Sequence, residues 1–118
     1  MSARSFKMNV FNRNQGQIRV ERSLEAQGVV TRVQMYQTII VEYWVNHIGP
    51  SPTIVLNSGG YRTASTKTAI NQALSQLVLP WNVIQRKGQW LVTNGVKTFD
   101  FIDGIQLDAT GIVLKEAS

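Results

Sequence analysis

The run from Met35 to His47 carries β-branched and aromatic residues on an alternating pattern. Ile39, Val41, Tyr43 and Val45 fall on one face, and Thr38, Ile40, Glu42, Trp44 and Asn46 on the other. The second face is itself half apolar. Apolar groups on both sides of a strand stabilise a fold only when both are shielded from water. Such a strand belongs in the middle of a sheet, or under cover on both faces. That requirement also leaves a homodimer open, with a second copy supplying the second cover.

The flanking sequence offers the partners. Phe6, Met8 and Val10 alternate with Lys7 and Asn9, so the segment 5–11 reads as a strand. The turn cluster Asn12–Gly16 joins it to a second alternation over 17–22 in an opening hairpin. Gly28, Val29, Val30 and Thr31 argue against a long helix over 23–32 and for a loop entering a strand. Gly49, Pro50 and Pro52 end the central run, and Thr53–Leu56 is a short apolar strand.

One helix is legible. Ala69, Ile70, Ala73, Leu74, Leu77 and Val78 recur at spacings of three and four, and Pro80 stops the pattern. Thr63 or Ser65 is the expected N-cap. Beyond it the turns Arg86-Lys87-Gly88, Asn94-Gly95, Asp103-Gly104 and Thr110-Gly111 divide the C-terminal third into an antiparallel meander. The expected class is α+β: about six to eight short strands in an antiparallel sheet, with one amphipathic helix packed across it. A length of 118 residues suits a single domain spanning 1–118.

Composition restricts the chemistry. There is no cysteine, so thiolate catalysis and Cys-ligated zinc are excluded. His47 is the one histidine, and the seven acids show no metal-ligand spacing. A catalytic site would need His47 beside Asp100 or Asp103, and Asp103 before Gly104 is explained as a turn residue. A non-catalytic protein without cofactor or metal is expected. No stretch reaches the roughly 18 apolar residues of a membrane span, and 1–14 lacks the apolar region of a signal peptide. The formal charge is +5, and no acid falls between Glu42 and Asp100. Arg62, Lys67, Arg86, Lys87 and Lys97 stand in that window, which should attract polyanions.

The window holds the best candidate site, Asn57 to Thr68. Gly59 and Gly60 can bring backbone close to a ligand, and a helix start offers free N–H groups with a positive dipole end. Ser58, Ser65 and Thr66 add hydroxyls, Arg62 and Lys67 charge, and Tyr61 an aromatic face. With Arg86 and Lys87 they form the expected ligand-binding set for a phosphate or carboxylate. The spacing from Gly60 to Lys67 is not that of a Walker loop. On the alternative reading the glycines make a turn, Thr63 or Ser65 caps the helix, and the cations are merely solvated. Trp44, Trp81 and Trp90 are expected in the core, and Tyr61 at the surface. No RNP, KH or helix-turn-helix signature is present, so a nucleic-acid reading rests on charge and composition.

The segment Thr53 to Asn71, with its Asn57-Ser58-Gly59-Gly60-Tyr61-Arg62-Thr63 core, resembles small uncharacterised proteins of tailed bacteriophages. The Trp90-bearing strand and the turn Phe101-Ile102-Asp103-Gly104 extend the likeness to Leu107; the residues before Thr53 lie outside it. The resemblance implies expression in the cytoplasm of an infected bacterium, without a mechanism. The expected partner is nucleic acid or a nucleotide. The alternatives are inhibition of a host or anti-phage defence protein, and sequestration of a nucleotide signal.

Overall fold

The computed structural model describes residues 18–46, 53–108 and 113–115. Nine strands and one helix occur among them: β1 (Ile18–Glu25), β2 (Gly28–Met35), β3 (Thr38–Asn46), β4 (Thr53–Leu56), α1 (Ala64–Gln76), β5 (Asn82–Arg86), β6 (Gln89–Thr93), β7 (Thr98–Asp100), β8 (Ile105–Asp108) and β9 (Val113–Lys115). The expected strand over 5–11 and His47 lie outside the described residues. A six-stranded sheet runs in the order β1-β2-β3-β4-β8-β9, and β5-β6-β7 form a second sheet. All pairings are antiparallel. The α+β class therefore holds. The meander is confined to β5–β7, because β8 crosses back to pair with β4.

Two boundaries differ from the sequence reading. Residues 23–25 complete β1 instead of entering a loop, since Leu24 pairs with Val29 and Glu25 with Gly28. Met35 closes β2, and Tyr36, at φ 55°, turns the chain into β3. Period-two reasoning runs through a two-residue turn whose flanks share the alternation, so it fused the end of β2 with β3.

The central run is interrupted by a β-bulge. Val33 pairs with Val41 but Gln34 pairs with Ile39, which leaves Ile40 as an extra residue. Consecutive Ile40 and Val41 are both 0% exposed as a result. A bulge adds one residue and bends the strand, so the alternation written from sequence fails at that point. β3 does lie inside the sheet, as its double apolarity required.

One apolar cluster joins the inner face of the large sheet, the helix and the small sheet. Val20, Val33, Val41, Ile54, Leu56 and Leu107 come from the first, Ala69, Ile70, Ala73 and Leu74 from α1, and Val83, Trp90 and Val92 from the third. On the opposite face of β3, Glu42 and Trp44 sit beside Arg32 of β2. Arg32 bridges to Glu25 at 2.9 Å and to Glu42 at 3.0 Å, and lies 5.5 Å from the centroid of Trp44. The hydrogen bond from Arg32 holds the Glu25 carboxyl below its usual range, and the same contact raises Arg32. Trp44 is thus half-buried on the outer face, whereas Trp81 and Trp90 are core residues as expected.

The helix is seated between the sheets by apolar packing on one flank and an amide on another. The Asn71 side chain accepts from Val83 N at 2.7 Å and donates to Val83 O at 2.8 Å. It thereby satisfies a pair of groups on the outer edge of β5 that would otherwise be open to another strand. The N-cap is Thr63, not Ser65: Thr66 N donates to Thr63 Oγ1 at 3.2 Å. At the other end Val78 leaves the expected stripe. Leu79 N bonds Leu74 O and Val78 N bonds Ser75 O, the two bonds of a Schellman stop, with Val78 at φ 57° and 88% exposed.

Candidate functional site

The loop after β4 begins at the bulge. Asn57 N donates to Ile40 O at 3.0 Å, so the extra residue of β3 supplies the carbonyl that anchors the loop. Gly59 then passes over β3 at φ 64°, where a Cβ would stand 2.5 Å from Thr38 Oγ1. Glycine is required there twice over, by conformation and by space. Gly60 also has positive φ, at 86°, but a Cβ there would meet open space.

Ser58 is the hub of the loop. It is 1% exposed, and both its N and its Oγ donate to Asp103 Oδ1, at 2.7 and 2.8 Å. The same Oγ accepts from Gly60 N at 3.2 Å and from Arg62 Nε at 3.4 Å. Gly59 N donates to Asn57 Oδ1 at 3.0 Å, and Tyr61 N to Ser58 O at 3.0 Å. The amides of residues 58–61 are therefore all engaged within the fold. Ser58, Gly59 and Gly60 shape the loop through these internal bonds. Thr66 is likewise 4% exposed, with its Oγ1 3.1 Å from Thr63 Oγ1. It completes the cap and does not face solvent.

The remaining residues of the expected set are exposed, except Lys67, which is half-buried. Tyr61 is 67% exposed, and Ser65 is exposed in the first turn of α1. The Arg62 guanidinium carbon lies 4.9 Å from the Phe101 centroid and 5.4 Å from that of Trp90, although the residue as a whole is exposed. Trp90 and Phe101 meet edge to face at 5.3 Å beneath it. Lys67 Nζ donates to Gln85 Oε1 at 3.3 Å, and Gln85 is directly paired with Trp90. Arg86 follows Gln85, and Lys87 with Gly88 forms the turn into β6, at φ 52° and 79°. The Gln85–Trp90 pair thus brings Arg62 and Lys67 together at the end of the small sheet, where Arg86 and Lys87 follow in the chain on the turn.

The cations differ from Arg32 in one respect. Arg32 has two carboxylates, whereas Arg62, Lys67, Arg86 and Lys87 form no ion pair among the described residues. Asp103 spends Oδ1 on Ser58, and Asp100 Oδ1 accepts from Gln89 at 2.9 Å.

Sequence reasoning missed four supporting residues. Gln85 and Trp90 follow from counting outward from a two-residue Lys87–Gly88 turn, and Phe101 from the next hairpin. Nothing local signals that Asp103 reaches Ser58, 45 positions away.

The family model described as Kyanoviridae Gp96 protein matches residues 5–108. The chain belongs to that tailed-phage protein family, and the match includes the segment before Thr53 that the motif likeness left out. No curated protein and no solved structure matches the chain.

Proposed function

We propose that this member of the Kyanoviridae Gp96 family is a non-catalytic binding protein of the infected cell that engages a phosphate-bearing ligand, chiefly nucleic acid. Its contacts are Tyr61, Arg62, Ser65 and Lys67 with Arg86 and Lys87. The observation that carries this reading is that Arg62 lies over Trp90 and Lys67 bonds its cross-strand partner Gln85, next to the Arg86–Lys87 turn, with no ion pair for any of the four cations among the described residues. Cations without a direct ion-pair partner attract a polyanion at long range and release its counterions on contact.

The test is a binding isotherm against a labelled oligonucleotide at several salt concentrations. Affinity should fall steeply with salt. Arg62→Ala with Lys67→Ala should weaken binding about tenfold or more and flatten the log–log salt slope by about 1.5. Absence of binding to any DNA or RNA, or affinity indifferent to salt, removes the proposal.

A second reading has its own observation. Tyr36 (62%), Tyr61 (67%) and Ile102 (40%) are exposed on three loops at one end of the large sheet. Exposed tyrosines with an adjacent apolar group and an arginine make up the usual anchors of a protein interface. A stoichiometric host protein retained from nuclease-treated lysate supports inhibition instead. Sequestration of a small nucleotide would show as a thermal shift with free nucleotides.

A further inference from the structure

We infer that the nucleic acid taken by this surface is single-stranded, with Tyr61 and Arg62 as the two faces on which its bases stack. This rests on the nucleic-acid reading above and specifies its form.

Arg62 is held unlike an ordinary surface arginine. A free guanidinium on a long stem samples many rotamers and loses that freedom on binding. Here Nε is tied to Ser58 Oγ, whose position is set by Asp103 and by the buried loop. The guanidinium carbon rests over Phe101 and Trp90, yet the residue stays exposed. The buried sides of the two rings are occupied by the core, and Arg62 covers them from the solvent side. What the solvent meets is therefore an arginine already held in place and, one residue earlier, the exposed Tyr61.

Arg32 provides the internal comparison. It too lies over a tryptophan, but its donors are satisfied by Glu25 and Glu42. Arg62 repeats the ring contact without the carboxylates. Guanidinium planes and phenol rings both stack unpaired bases, while the bases of a duplex are closed to them. Lys67, which reaches the cross-strand partner of Trp90, is the cation beside these faces for the backbone of the same strand. A duplex would use the cations and leave the stacking faces idle.

The test compares an oligothymidylate and an oligouridylate of about twelve nucleotides with the corresponding duplexes, by fluorescence anisotropy. Both single strands should bind more tightly than duplex. Tyr61→Phe should hold affinity, and Tyr61→Ala should lose it about tenfold, within the range of one base stack. Arg62→Lys keeps the charge but not the plane, so affinity should fall while the salt slope stays. Thermal melts of each variant separate lost stacking from lost folding, and the exposure of Tyr61 keeps that arm interpretable. Equal or tighter binding of duplex with a steep salt slope overturns the inference and leaves the proposed function standing. Wild-type affinity in both Tyr61→Ala and Arg62→Lys also overturns it. Failure of every nucleic acid to bind overturns both.

Discussion

At the scale of single residues, the loop is built by one glycine, one serine and one aspartate with separable tasks. Gly59 is conformationally and sterically required, whereas Gly60 is required only by its backbone angle. A non-glycine residue in the left-handed region costs about 1–2 kcal/mol, and a Cβ against Thr38 adds to it. Gly59→Ala should therefore destabilise by about 2–4 kcal/mol and Gly60→Ala by about 1 kcal/mol, measured by chemical denaturation. Equal costs at the two positions would contradict the close approach to Thr38. Asp103 explains why the loop tolerates a buried serine: its carboxylate takes both the N–H and the O–H of Ser58. A buried hydroxyl without such a partner would be costly. The sequence made Asp103 legible as a turn residue only, because its partner is remote in the chain.

At the scale of elements, the helix start was readable in principle and ambiguous in practice. Thr63 and Ser65 are both good caps, and only the observed bond from Thr66 N selects Thr63. The helix end was misread for a physical reason. Val78 continues the apolar spacing but occupies the left-handed position where glycine is usual. A β-branched residue there is strained, and its 88% exposure means that no packing offsets the strain. Val78→Gly should raise stability by about 0.5–1 kcal/mol, seen as a melting temperature higher by a few degrees. A decrease would mean that the valine side chain does something its exposure hides. The central strand shows the complementary case. Its place inside the sheet followed from composition, but the bulge at Ile40 did not, since an inserted residue leaves no mark in an apolar run.

At the scale of the molecule, the α+β class was legible because turn residues and two hydrophobic periods divide the chain clearly. The partition into two sheets was not. Strand signals specify that segments pair, and say little about which distant edge receives β8. The acid-free stretch between Glu42 and Asp100 spans β4, the helix and most of the small sheet. Once folded, it places Arg62 and Lys67 at one cross-strand pair, while Glu25 and Glu42 of the large sheet serve Arg32. The two arginines that lie over tryptophans therefore differ: Arg32 is neutralised by two carboxylates, and Arg62 has no ion pair among the described residues.

The clamp of Asn71 on Val83 carries a consequence for cooperativity. The Val83 amide is closed by a helix side chain, not by a neighbouring strand. Its hydrogen-exchange rate should therefore follow undocking of α1, even if β5 and β6 stay paired. The amide of Val92 sits on the middle strand of that sheet and should follow the opening of the sheet itself. A difference between the two rates would separate the opening of the helix from the opening of the sheet, and coincident rates would make helix and small sheet one cooperative unit.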